Sequence, residues 1–239
     1  MLELNKIYNM DCLDGMMLLE DNSIDLIITS PPYNLGENHH TGNKRFKAYD
    51  EYSDNLPERE YQRWQLEVLS ECYRVLKVGG SMWYNHKNRI VKGKQITPYE
   101  WLLKSKFIIK QEIVWFNRSQ NFDKIRFYPM TERVYWLTKS TDTKLNNVIN
   151  HHDLFEWKAQ GTEREHKRSF PEKMIEDLLM CFEKGIVLDP FMGSGTTAVA
   201  CYNLGFDYIG FEVSKKYCEL AEKRLKPLKE QINLFEEAL

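Results

Sequence analysis

The stretch GIVLDPFMGSGTTAVACYNLGFDYIGFEVSKKYCELAEKRL, residues 185–225, constrains the fold of this chain more than any other. An apolar run ends at Asp189, a glycine turn and a helical segment follow, and a second apolar run ends at Glu212 before another helical segment. Strand, turn, helix, strand, helix is a βαβα unit, and such crossovers build a parallel sheet with helices packed on it. Gly193 and Gly195 let the backbone turn sharply and approach a ligand at the start of the helix opened by Thr196, where unpaired N–H groups point outward. Seventeen residues after Gly195, Glu212 stands at a strand end, where a carboxylate can accept from both hydroxyls of a ribose. GSGTT lacks the lysine that nucleotide-triphosphate loops place on phosphates, so the implied ligand is an adenosine without a polyphosphate.

The rest of the chain continues the alternation. Residues 4–10 and 24–30 read as short strands, the second too uniformly apolar for a one-sided sheet and so central and parallel. PEREYQRWQLEVLSECYRVLK opens at Pro57 and repeats apolar groups at Tyr61, Trp64, Val68, Cys72 and Leu76, a helix that Gly79 and Gly80 are expected to close. SMWYN, FIIKQEIVWFN and ERVYWLT read as strands, the last two as antiparallel neighbours. Ser169 and Pro171 begin a helix with Met174, Ile175, Leu178, Leu179 and Phe182 on one face.

No linker or low-complexity tract divides the 239 residues, and no apolar run approaches the roughly 18 residues of a membrane span, so the expectation is one cytoplasmic domain without a membrane partner. The five cysteines lack C-x-x-C spacing, which suggests neither a zinc site nor a disulfide framework. The histidine pairs 39–40 and 151–152 have no acid at ligand spacing, so no metal site is predicted. Charge is unevenly spread: residues 86–139 hold twelve lysines and arginines against four acids, within a chain of net charge −2. Interleaved with Trp101, Trp115, Phe116, Phe122, Phe127 and Tyr128, this run suits either a solvated face or a phosphate-binding face with stacking groups.

The second informative stretch is TSPPYNLG, residues 29–36, at the end of the central strand. Its two prolines fix φ near −65° and remove local N–H donors, leaving the Ser30 hydroxyl and the Pro31 carbonyl able to accept hydrogen bonds. TSPPY resembles the catalytic motif of DNA amino-methyltransferases, which modify the exocyclic nitrogen of adenine or cytosine. DPFMGSGTT with Glu212 is similar to the S-adenosyl-L-methionine motif of class I methyltransferases. TSPPY comes about 160 residues before the cofactor motif, the circularly permuted order that resembles the β group of those enzymes.

The resemblance implies an α/β, Rossmann-like class I fold: a mostly parallel sheet with one antiparallel strand and helices on both faces. It also implies S-adenosyl-L-methionine as cofactor and DNA as partner. By matching motif, Asp11 would accept from the cofactor adenine, the backbone of Cys12 would meet its ring, and Phe191 would line the pocket. Ser169, Phe170 and Pro171 would flank the methionyl end, although this segment departs from the H-P-T-Q-K-P form common in the group. Asp189, Gly193, Gly195, Thr196 and Glu212 complete the cofactor set, and Ser30, Pro31, Pro32 and Tyr33 form the catalytic set.

An exocyclic amino nitrogen is a poor nucleophile because its lone pair is delocalised into the ring. Acceptors on its two N–H groups redirect that pair, and the Tyr33 ring offers a stacking face for a base flipped out of the duplex. A C5 methyltransferase needs a cysteine nucleophile in a Pro-Cys pair, and no cysteine here follows proline. Residues 36–56 are expected to form a mobile loop over substrate, and about 140–168 a small target-recognition insertion. So short a recognition region implies a short target or a second subunit in a homodimer. Two alternatives stay open: an RNA or protein methyltransferase of the same fold, and a catalytically silent nucleic-acid-binding module.

Overall fold

The computed structural model describes residues 2–35, 54–118, 124–147, 152–157 and 171–236. Most of the expected loop at 36–56, Ser169, Phe170, His39, His40 and His151 lie outside the described residues. In chain order the elements are β1 (Lys6–Tyr8), α1 (Cys12–Met17), β2 (Ile24–Thr29), α2 (Glu58–Val75) and β3 (Leu76–His86). A hairpin of β4 (Arg89–Val91) and β5 (Lys94–Ile96) follows, then α3 (Tyr99–Leu102), β6 (Ile108–Phe116), β7 (Thr131–Thr138) and β8 (Leu154–Phe155). The βαβα unit closes the chain after α4 (Glu172–Leu179), as β9 (Ile186–Asp189), α5 (Thr196–Leu204), β10 (Asp207–Phe211) and α6 (Lys215–Glu236).

Eight strands form one sheet in the order β1-β10-β9-β2-β3-β7-β6-β8. All neighbours are parallel except β7, which is antiparallel to both β3 and β6. From Leu26 onward β2 alternates as a strand in a two-sided sheet: Leu26 and Ile28 join the core beneath α4 and α5 and Ile27 the core beneath α1 and α2, which Ile24, before the irregularity in register, also joins. From β9 the chain crosses to β10 on one side, and from β2 to β3 on the other. The seam between β2 and β9 is therefore the topological switch point, where open α/β sheets form a crevice outside the strands' carboxyl ends.

One local expectation changes. Gly79 and Gly80 do not close α2: the helix stops at Val75, Leu76 is already extended at φ −69° and ψ 137°, and both glycines lie within β3. The β2–β3 register jumps from Ile24↔Leu76 to Leu26↔Ser81, and a Cβ on Gly80 would stand 2.7 Å from the Asp25 carbonyl. Gly80 answers a close approach of strands rather than a helix end. Within the segment at 140–168, residues 154–157 pack on the scaffold. β8 adds a parallel edge to β6, and Trp157 is buried, donating from Nε1 to Asp177 Oδ2 at 2.8 Å on α4.

The basic run also divides. Arg89 is buried in a fork on Glu58 at 2.8 and 2.9 Å, with its guanidinium over the rings of Tyr61 and Trp101. Arg133 pairs with Glu112, whereas Lys92, Lys94, Lys104, Lys124 and Arg126 are exposed. Removing one partner of a buried pair strands the other. Arg89→Ala should therefore lower stability by about 2–4 kcal/mol, short of the largest costs because Glu58 keeps some solvent. Urea unfolding checks this, and an unchanged midpoint would mean that the pair contributes nothing.

Candidate functional site

Beyond Leu26↔Val187 and Ile27↔Leu188 the switch-point strands are linked through side chains. Asp189 is 1% exposed, and its carboxylate accepts from Thr29 Oγ1 at 2.8 Å, Thr197 Oγ1 at 2.6 Å and the Phe191 amide at 3.0 Å. Burial pushes this carboxyl up to about 6 although all three donors pull it down. Its contacts turn it to protein donors, so it fixes the crevice walls.

The glycine turn stands on one wall. Gly193 has φ +53° and Gly195 φ +81°, conformations that suit glycine, and a Cβ on Gly195 would lie 2.6 Å from Ala221 Cβ. At Gly193 a Cβ would meet only the Phe191 carbonyl, at 3.9 Å, so its outer side opens into space. The Gly193 amide donates to Glu212 Oε2 and the Ser214 amide to Glu212 Oε1, both at 2.8 Å. This clamp orients the carboxylate. Thr196 is buried at the start of α5. Asp11 caps α1 through Oδ1 to the Leu13 amide at 2.8 Å, Cys12 is buried, and Pro171 caps α4. Phe191 packs edge-on against Trp64, ring centroids 5.5 Å apart.

Arg224, on α6, is a residue that sequence reasoning missed. Its Nη1 donates to the Ser194 carbonyl at 2.7 Å and to Thr196 Oγ1 at 3.2 Å, and its Nη2 to Glu172 Oε1 at 2.5 Å. One guanidinium thus braces the glycine turn and ties it to the first turn of α4.

The Pro-Pro loop after β2 forms the other wall. Ser30 Oγ lies 2.7 Å from Tyr33 Oη, which is 2.8 Å from Asn85 Oδ1 and 2.9 Å from Glu132 Oε2. Asn85 Nδ2 donates to the Arg133 carbonyl and Asn117 Nδ2 to Glu132 Oε1. The Tyr33 ring lies 4.6 Å from that of His86, and Lys87 Nζ stands 5.5 Å over it. His86 is buried and held neutral, its pKa pushed down to about 3 by desolvation. The Pro32 carbonyl accepts from Tyr61 Oη at 2.8 Å, which anchors the loop to α2. The loop's far end is stapled too: Asp54 accepts from the Asn34 and Leu35 amides at 2.5 and 3.1 Å. Asn85 and Glu132 escaped sequence reading as ordinary strand residues. A polar asparagine ending the otherwise apolar run SMWY was the available signal.

A switch-point crevice with a glycine turn on one wall and a hydroxyl-bearing Pro-Pro loop on the other defines a Rossmann-like class I methyltransferase. The DNA methylase family model matches residues 24–223, and the chain belongs to that family. It is an S-adenosyl-L-methionine-dependent, site-specific DNA amino-methyltransferase of the β group. It is 31% identical to the type II methyltransferase M.HpaI of Haemophilus parainfluenzae, over 90% of this chain and 72% of that one. Against M.BglII of Bacillus subtilis identity is 27%, over 97% of this chain and 72% of that one. The fold is that of the cytosine-N4-specific PvuII DNA methyltransferase, with a TM-score of 0.75 at 22% identity over 95% of this chain and 92% of that one. No helix among the described residues is long and apolar enough to cross a membrane.

Asp189 carries a pH signature. Its folded pKa near 6 lies above the ordinary 3.8, so the native state holds the extra proton between those values and stability falls as pH rises from about 4 to 6. The fall is of order 3 kcal/mol. Asp189→Asn should remove this segment from the stability–pH curve in denaturant titrations; identical curves for the two proteins would contradict a buried, titrating Asp189.

Proposed function

We propose that Ser30, Pro31, Pro32 and Tyr33 receive the exocyclic amino group of a flipped cytosine (N4) or adenine (N6), opposite a cofactor held by the glycine turn. The observation that carries this reading is the facing of the two walls across one seam, Thr29 leading into the loop and Asp189 into the turn. The residues fit the cofactor: Gly193 presents an open side, and two amides orient the Glu212 carboxylate, the group that accepts from ribose hydroxyls. Phe191 lines the pocket beside them, Asp11 and Cys12 meet the adenine, and the segment around Pro171 flanks the methionyl end. S-adenosyl-L-methionine supplies an electrophilic methyl group when bound.

The chain's own residues prepare the nucleophile. Ser30 Oγ and the Pro31 carbonyl accept from the two amino N–H groups, which favours a tetrahedral nitrogen with its lone pair directed outward, and the prolines hold both acceptors in place. The rigid walls hold the reacting atoms together, and positioning of this kind supplies much of the rate. The base stacks at Tyr33 where Lys87 now stands, since His86 already packs against that ring. Lys92 and Lys94, exposed on the β4–β5 hairpin that follows the carboxyl end of β3, track DNA phosphates. The chain acts as the modification enzyme of a restriction system, a reading supported by its likeness to relatives named type II methyltransferases.

Labelled cofactor offered with duplex DNA, RNA or protein extract should mark DNA, and nucleoside mass analysis should find the methyl on N4 of cytosine or N6 of adenine. Label confined to RNA or protein would refute the reading. Ser30→Ala should lower turnover by less than the ~100-fold cost of a principal oxyanion donor, with cofactor affinity unchanged, because the Pro31 carbonyl remains. Wild-type turnover in Ser30→Ala would reduce Ser30 to a turn residue.

A further inference from the structure

Among the described residues, three oxygens lie within hydrogen-bond distance of Tyr33 Oη: Ser30 Oγ at 2.7 Å, Asn85 Oδ1 at 2.8 Å and Glu132 Oε2 at 2.9 Å. A phenol has one proton to donate, so two of these contacts need a proton from the other side. Asn85 cannot supply one. Its amide orientation is set by Nδ2 donating at 2.9 Å to the Arg133 carbonyl, which only accepts. For all three contacts to be hydrogen bonds, Tyr33 has to donate to Asn85, and Ser30 and Glu132 both to Tyr33.

We propose that Glu132 is a positioning residue that holds a proton on Oε2, donates it to Tyr33 Oη, and thereby commits the Ser30 proton to Tyr33 so that Ser30 meets the target amino group only as an acceptor. The inference rests on the reading of Ser30 as an acceptor and adds the group that makes it one. Oε1, the carbonyl oxygen of the neutral acid, accepts from Asn117 Nδ2 at 3.0 Å. Were Glu132 ionised, it would draw the Tyr33 proton, and the Tyr33 and Asn85 oxygens would face each other 2.8 Å apart with no proton between them. Ser30, 3.5 Å from Asn85 Oδ1, would then be pulled to donate there, and its direction would be lost.

The surroundings agree. Burial pushes the Glu132 carboxyl above the usual carboxylate range, against the pull of Lys87, Tyr33, Asn117 and Asn85. Lys87 is the cation facing it from the end of β3. His86 behind Tyr33 is held neutral, and the neighbouring Arg133 turns its guanidinium to Glu112 at 2.8 Å.

The test uses two substitutions and two measurements. Glu132→Gln reproduces the neutral acid, its amide donating to Tyr33 and its carbonyl accepting from Asn117, whereas Glu132→Leu does neither. Infrared difference spectra of wild type minus Glu132→Gln, without DNA or cofactor, should show the carbonyl stretch of a protonated carboxylic acid at neutral pH. Carboxylate bands in its place would overturn the proposal whatever Ser30 does in catalysis. In turnover, Glu132→Leu should lose roughly tenfold, the worth of one hydrogen bond, and Glu132→Gln should recover most of that loss; the wild-type rate should fall at high pH as Glu132 loses its proton, and the Glu132→Gln rate should not. A Glu132→Gln enzyme as slow as Glu132→Leu, with wild-type cofactor affinity and thermal midpoint, would show that a carboxylate is required and overturn the proposal.

Discussion

The hydrogen bonds gathered by the Asp189 carboxylate hold the structure to its purpose. Thr29 ends the strand that leads into the Pro-Pro loop, Phe191 lies in the glycine turn, and Thr197 stands in the first turn of α5. One buried group therefore fixes the distance between two parts of the chain separated by 160 residues. Burying it is unfavourable, as its raised pKa shows, and the three donors offset only part of that cost. In return the crevice has a single width, and a transfer between two bound groups depends on that width more than on any one contact.

Each wall then has its own brace. Arg224 holds the glycine turn from behind through the Ser194 carbonyl, while paired amides hold Glu212 from the front. On the other side Tyr61 fixes the Pro32 carbonyl and Asp54 closes the loop onto Asn34 and Leu35. The groups that would touch a ligand are thus set by others that would not, which is how small side chains such as serine acquire direction.

The βαβα unit was legible because its signals are local: apolar runs, two glycines and a strand-end acid within one short stretch. The turn after β2 was legible for the same reason, since paired prolines leave little freedom. Gly79 and Gly80 misled because glycine marks a helix end and a close approach of strands alike, and only the position of Asp25 distinguishes them. Charge misled where Arg89 counted as a surface cation, although Glu58, 31 residues away, receives it in the core. Asn85 and Glu132 lie on β3 and β7, at register positions that bring them to Tyr33 only once the sheet has formed. Nothing in the order of residues announces that meeting.

The account stands on the Tyr33 hydroxyl as the hub that directs Ser30, and single-turnover methyl transfer by Tyr33→Phe tests it most directly. This change keeps the ring for stacking and removes only the oxygen that Ser30, Asn85 and Glu132 share. The account predicts wild-type cofactor affinity, retained DNA binding and a transfer rate at least tenfold lower, the loss of one oriented hydrogen bond. Transfer at the wild-type rate would contradict it, because Ser30 would then need no partner to face the target nitrogen.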